Sequence, residues 1–322
     1  MASTQAAVVI PRSQIAGRRG RFPWHIAVFL APATLIYTVF MIYPLLDSMR
    51  LSLFTRDETG AASFVGLANY TALFFDPYWA NQFWKALGNN ILFFAVHMLV
   101  QNPIAIGLAA LLSLPHVRFS NTYRTLMFTP TLLSVVIIGF IWKLILSPTW
   151  GVAKSMLGSV GLGSLFAPWL GEEGSALITV SLISVWQWVG MPLLLTYAAL
   201  LNIPESLTEA ARVDGARQMT IFWRIKLPLI WPTIGMVSIL TFVGNFNAFD
   251  LVYVIGSGPL GPPNFSTDIL GTFFYRTFFG FQLQQGDPTM GAAVATIMFL
   301  IILAAVMVYF YVVQRRLQRY EL

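Results

Sequence analysis

Met290-Gly-Ala-Ala-Val-Ala-Thr-Ile-Met-Phe-Leu-Ile-Ile-Leu-Ala-Ala-Val-Met-Val-Tyr-Phe-Tyr-Val-Val313 contains no charged side chain. Wound as a helix at 1.5 Å per residue, such a run reaches ~36 Å, enough to cross roughly 30 Å of hydrocarbon. Five further apolar runs precede it, at about 25–47, 88–112, 124–146, 176–201 and 229–254. Lipid offers no hydrogen-bond partner to an open backbone, so helix is the expected conformation of all six. A β-barrel would show short alternating segments, whereas these runs are continuous. The expected fold class is an all-α membrane protein with six transmembrane helices.

Composition agrees. Of 322 residues 57% are hydrophobic and 10% charged, against roughly 45–50% and about 25% in a soluble domain. A soluble two-domain enzyme and a disordered chain are both excluded. With no cysteine there is no disulfide framework, thiol nucleophile or Cys-ligated metal site. The first span is read as a retained helix: its apolar core is too long for a signal peptide, and Asp47-Ser-Met-Arg50 supplies no small-residue cleavage site.

The cations set the orientation. Arg12, Arg18, Arg19, Arg21, Arg118, Arg124, Arg212, Arg217, Arg224, Lys226, Arg315, Arg316 and Arg319 fall on one side, 13 of the 19 Lys plus Arg. Arg50, Arg56, Lys85, Lys154 and Arg276 fall on the other, and Lys143 lies within the third span. Both termini are therefore expected in the cytoplasm. This divides the chain into a cytoplasmic segment 1–24, a membrane domain 25–313 and a cytoplasmic tail 314–322. The net charge of +6 is a topology signal; its cations lie beside helix ends rather than on one soluble face, so no nucleic-acid partner is expected.

Enzyme signatures are missing. There is no G-x-x-x-x-G-K-[ST], no H-E-x-x-H and no G-x-S-x-G. The histidines His25, His97 and His116 are scattered, and His97 reads as a packing or hydrogen-bonding residue inside the second span. Asp250 is the one acid well inside a span, which does not make a catalytic dyad.

The long cytoplasmic loop 202–228 is different in kind. It reads Asn-Ile-Pro204-Glu205-Ser-Leu207-Thr-Glu209-Ala210-Ala211-Arg212-Val213-Asp214-Gly215, then continues to Ile225-Lys-Leu227-Pro228. Pro204 suits a first helical position, and Glu205 the first turn, where the dipole favours acids. Leu207, Ala210, Ala211 and Val213 form a short apolar stripe. Asp214-Gly215 is a stop with glycine placed for a left-handed cap. A second short helix then leads to Leu227-Pro228.

This loop resembles the "EAA" loop of binding-protein-dependent ABC importer permeases, whose pattern is E-A-A, three residues, G, nine residues, I-x-L-P. Glu209, Ala210, Ala211, Gly215, Ile225, Leu227 and Pro228 match every element. Asn202-Ile-Pro-Glu with Glu-Ala-Ala-x-x-Asp-Gly-Ala216 is similar to the carbohydrate, maltose-type branch. The likeness extends through Arg124-x-x-x-Phe128-x-Pro130, Trp188-x-Gly190-x-Pro192, Phe249-Asp-Leu-x-Tyr253 and Tyr275-x-x-x-Phe279. Two departures lie on the outer face, Gly256-Ser-Gly258-Pro259 with its insertion and Met290-Gly-Ala-Ala.

The resemblance implies a type I ABC importer permease fold in a bacterial or archaeal cytoplasmic membrane. It implies a second permease chain, expected to be a different subunit, two ATPase subunits and an extracytoplasmic substrate-binding protein. No cofactor is expected on this chain; ATP and Mg would be used by the partner ATPase. Residues 204–215 would form the coupling helix, with Glu205, Glu209, Ala210, Ala211, Asp214 and Gly215 facing that partner. The implied activity is alternating-access translocation of a sugar or oligosaccharide. Other solutes (glycerol phosphate, an amino acid or a peptide) are the alternative, with an intramembrane enzyme further behind.

Substrate contacts are expected on the two spans flanking the loop: Gln187, Trp188 and Gly190 on the fourth, and Asn245, Asn247, Asp250 and Tyr253 on the fifth. Hydrogen-bonding side chains beside aromatic faces suit a polyhydroxylated ligand. The same amides also suit bonding between helices, and both readings stand at this point. Gln101-Asn102-Pro103 reads as a kink with local polar repair.

Overall fold

A computed structural model describes residues 24–56, 61–114, 116–256, 258–282 and 284–311. The basic ends that weigh most in the orientation, Arg12 to Arg21 and Arg315 to Arg319, lie outside the described residues, as do residues 1–23 and the tail 314–322.

The described residues up to Asp47 form one unit and those from Ser48 onward a second. In the first, α1 (Trp24–Tyr37) runs through a π-turn (Thr38–Ile42) into α2 (Tyr43–Leu51), which continues past the boundary. Phe29 and Phe40 are exposed, as suits a helix that is apolar on every side.

The second unit begins with a hairpin of β1 (Phe54–Arg56) and β2 (Ala62–Phe64), Phe54 opposite Phe64. Helix α3 (Ala68–Phe75) follows. Asp76 then caps α4 (Pro77–Val96), its carboxylate accepting from the amides of Tyr78 and Trp79. This helix starts at Pro77 rather than near 88, because the cap and the first-position proline nucleate it well before the apolar run. It continues through a π-turn (His97–Gln101) into α5 (Asn102–Leu112).

The third, fourth and fifth spans are not single helices as expected. The third is α6 (Ser120–Leu132) and α7 (Val135–Ile145), at 96°. After α8 (Val152–Ser159), the fourth is α9 (Glu173–Trp188) and α10 (Gly190–Leu201), at 45°. Then come α11 (Glu205–Val213), α12 (Gln218–Ile221), a π-turn (Phe222–Lys226), α13 (Leu227–Leu229) and α14 (Trp231–Phe246), the last bent 66° from the stretch before it. The fifth span ends at Phe246; residues from Asp250 form a separate short α15 (Asp250–Ile255). Helix α16 (Leu270–Phe279) lies in the outer segment, and α17 (Pro288–Tyr309) is continuous.

Prolines explain most of these irregularities. Pro130 lies in the last turn of α6. Pro192 has no N–H for the carbonyl of Trp188, where α9 ends, and Pro232 follows the bend at Ile230. The π-turns at 38–42, 97–101 and 222–226 share one arrangement. Pro44, Pro103 and Pro228 each follow a π-turn by two residues, and the residue before each proline bonds five back: Tyr43 to Thr38, Asn102 to His97, Leu227 to Phe222. A proline ring clashes with the carbonyl four residues earlier, which in each case belongs to the middle of the π-turn. The wider turn moves that carbonyl aside, and at Pro44 and Pro103 the helix continues instead of breaking.

The second unit has two main apolar clusters. One joins Phe93, Ile138, Leu177, Val180, Ile183, Leu251 and Ile269; the other joins Leu73, Phe83, Phe246, Leu270, Phe273, Met290 and Val294. Beside them Arg276, fully buried, donates to Asp268 at 2.6 Å and to Gln82 at 3.1 Å. Burial pushes the Asp268 carboxyl up, opposed by Arg276 and the Thr272 hydroxyl.

Candidate functional site

The α9–α10 joint, the end of α14 and the π-turn of the second span meet around a cavity of about 430 Å³. Its walls include Phe93, His97, Gln101, Ser184, Trp188, Thr241, Asn245, Asn247, Phe249 and Asp250. Helical spacing explains the convergence: His97 and Gln101 are four apart, as are Thr241 and Asn245, so each pair shares a face.

The two nitrogens of His97 are both used. Nδ1 lies 2.8 Å from the Phe93 carbonyl and Nε2 3.0 Å from the Ser184 hydroxyl. A carbonyl can only accept, so Nδ1 carries the proton and Nε2 accepts from Ser184. The amides are less complete. Asn245 donates to the Thr241 carbonyl at 2.7 Å, yet its buried Oδ1 has no partner, and neither has the buried Oε1 of Gln101. Two residues of the cavity wall thus each carry a buried acceptor without a donor, at a depth where unpaired polar groups are costly. Asn247 and Asp250 are exposed to the cavity, and Trp188 and Phe249 supply ring faces.

Four of the sequence-predicted substrate residues therefore line one space: Trp188, Asn245, Asn247 and Asp250. Three do not. Gln187 is fully buried and its amide leans toward the Leu133 carbonyl at 3.5 Å, while Thr131 donates to its backbone carbonyl at 2.9 Å. A side chain on Gly190 would put Cβ 2.8 Å from the Met127 carbonyl oxygen and 2.8 Å from Phe128 Cα, so α10 begins in direct contact with the backbone of α6. Tyr253 packs in an aromatic row with Phe249 and Tyr275, ring centroids 5.0 and 5.4 Å away. In the sequence Gln101 reads as part of a kink and His97 as a packing or hydrogen-bonding residue, the latter as found, whereas Ser184 and Thr241 are not singled out. The usable signal was polar residues repeating at four-residue spacing within apolar spans.

The second site is α11. Glu205, Glu209, Ala210, Asp214 and Gly215 are exposed, whereas Ala211, expected to face the partner, is buried. The apolar stripe therefore splits, with Leu207, Ala210 and Val213 facing outward and Val213 88% exposed. Pro204 is the N-cap, one place before the position expected. Gly215 has φ +79°, its N–H bonds to the Arg212 carbonyl, and Ala216 N–H to that of Ala211 at 2.9 Å, a Schellman cap. Beyond it, burial and then Arg212 lower the Lys226 ammonium below its ordinary pKa.

Residues 101–319 match the family described as "Binding-protein-dependent transport system inner membrane component". The lactose transport permease LacF of Rhizobium radiobacter is 33% identical over 276 residues, 86% of this chain and 88% of that protein. The sn-glycerol-3-phosphate transport permease UgpA of Salmonella typhimurium is 33% identical over 294 residues, 91% and 95% of the two chains. A chain of the bacterial alginate ABC transporter, solved with an alginate pentasaccharide-bound periplasmic protein, has the same fold: TM-score 0.75, 21% identity, 91% of this chain and 94% of that one covered.

Proposed function

The chain belongs to the family of binding-protein-dependent transport system inner membrane components, and from that premise we propose that its cavity passes a sugar or oligosaccharide across the membrane. The carrying observation is the wall: buried, unpartnered amide oxygens of Gln101 and Asn245 beside Asn247, Asp250 and the rings of Trp188 and Phe249. Hydroxyl groups donate to those oxygens, and apolar sugar faces lie on the rings.

The glycerol phosphate reading is weaker here. A phosphate needs Arg, Lys or several N–H donors, and no Lys or Arg is among the described cavity walls, which instead present Asp250. The carboxylate of an amino acid meets the same objection. In this reading α11 docks on an ATPase subunit through Glu205, Glu209, Ala210, Asp214 and Gly215. That partner binds ATP and Mg, and two such subunits work with this permease, a second and different permease chain, and an extracytoplasmic binding protein. ATP-driven closure moves α11, and α10 and α14 rock around the cavity with it.

The test is uptake into proteoliposomes holding the assembled importer and its binding protein, with lactose, arabinotriose and sn-glycerol 3-phosphate as probes. Saccharide uptake that falls at least tenfold in Asn245→Ala supports the reading. Uptake of glycerol phosphate alone, or saccharide uptake unchanged by Asn245→Ala, overturns it.

A further inference from the structure

Asn90 lies on α4, fully buried, outside the cavity walls and outside every motif noted in the sequence. Its side-chain amide makes two bonds to two different helix ends. Nδ2 donates to the backbone carbonyl of Asn245 at 3.2 Å, and Oδ1 accepts from the backbone N–H of Leu270 at 3.2 Å. Asn245 is in the last turn of α14, and Leu270 is the first residue of α16. The Leu270 N–H, at the start of α16, has no helical partner, while the Asn245 carbonyl accepts from the N–H of Ala248 at 3.2 Å as well as from Asn90. One amide side chain reaches both ends at once, because it carries a donor and an acceptor.

The junction is tight. Gly271, next to Leu270, has room for no side chain: a Cβ there would lie 2.4 Å from the Ala248 carbonyl oxygen. The first turn of α16 therefore rests on the backbone of the break between α14 and α15. That break presents Asn245, Asn247 and Asp250 to the cavity. On the other side, Asn89 donates to the carbonyls of Phe265 and Asp268, and Lys85 to that of Asn264, so α4 also holds the outer segment leading into α16.

We propose that Asn90 is a positioning residue for translocation: it locks the end of α14 to the start of α16, so that Asn245 is held in place and moves together with the outer segment. The functional half of this proposal rests on the cavity being the substrate path; the structural half does not.

Two measurements separate them. In nanodisc-held transporter, hydrogen exchange at 244–250 and at 268–274 accelerates together in Asn90→Leu, by at least tenfold. Asn90→Asp keeps the acceptor for Leu270 but sets a carboxylate oxygen against the Asn245 carbonyl, so it frees 244–250 more than 268–274. Exchange that changes at one site only in Asn90→Leu, or at neither, overturns the lock. In proteoliposomes with the ATPase and binding protein, lactose is the probe, and the readout is ATP hydrolysed per lactose imported, which does not depend on how much complex is active. The ratio rises at least fivefold in Asn90→Leu, and this rise is absent when Asn90→Leu is placed on Asn245→Ala. An unchanged ratio, or a full rise on the Asn245→Ala background, overturns the positioning role. Should Asn90→Leu not assemble, Asn90→Ser, which keeps one hydrogen bond at most, serves in its place with a smaller change of the same sign. Absence of saccharide uptake by the wild-type importer would sink the proposed substrate class while leaving the exchange result to decide the lock.

Discussion

Gly190 and Gly215 are both glycines of matched motifs, and they are glycine for different reasons. At Gly190 the limit is space, since a Cβ meets the backbone of Met127 and Phe128 at 2.8 Å. Backbone cannot swing aside like a side chain, so Gly190→Ala is expected to cost about 1–3 kcal/mol, the range for overpacking. A lowered thermal melting point of the purified chain in detergent checks this; a variant that melts like wild type but binds substrate less well would return Gly190 to the substrate site. At Gly215 the limit is the backbone angle, φ +79°, with open space where Cβ would be. A β-branched residue resists that conformation, whereas asparagine tolerates it. The pair Glu209→Lys and Gly215→Val should therefore lower the stimulation of the partner ATPase by loaded binding protein at least fivefold, and Gly215→Asn should retain most of it. Full stimulation in the Lys and Val variants would remove α11 from the coupling role.

Among the elements, prolines accompany most of the breaks in the apolar spans, although α1 runs on past Pro32. Where a π-turn precedes the proline, as before Pro44 and Pro103, the helix runs on. In the fourth span Pro192 follows no π-turn, and the helix bends 45° at Val189. The carbonyl of Gln187 is then taken by the Thr131 hydroxyl of α6 at 2.9 Å. Thr131→Val, nearly isosteric but without a hydroxyl, leaves that buried carbonyl unpaired and should cost roughly 1–3 kcal/mol. Melting of the purified variant tests it, and an unshifted midpoint would show that another donor replaces Thr131.

For the second unit as a whole, the buried Asp268–Arg276 pair ties the outer segment to α4 through Gln82 and to α16 through its own helix. Removing one member of a buried pair strands the other charge, typically at 3–5 kcal/mol. Arg276→Met should therefore deplete folded permease in membranes severalfold, while Arg276→Met combined with Asp268→Leu recovers part of the loss. Equal loss in the single and double variants would exclude the stranded charge as the cause. Arg276 was counted from sequence only as one of five outer cations. Its fully buried position depends on Asp268, eight residues away, and on Gln82, on a helix far off in sequence, and no local pattern reports such a partner.

What the sequence determined by itself was whatever depends on short-range rules. Six apolar runs require lipid and helices, Asp214-Gly215 stops α11 where the left-handed cap forms, and the E-A-A spacing marks the family. Tertiary structure decided which polar residues share a space. Gln187 and Gly190 look like Asn245 from sequence, since each is a small or polar residue in an apolar span. Contacts from other helices then separate them: Gln187 and Gly190 lie against α6 and its end, whereas Asn245 lines the cavity. Long-range packing set that difference, because hydropathy along one span carries no record of which neighbour will face it.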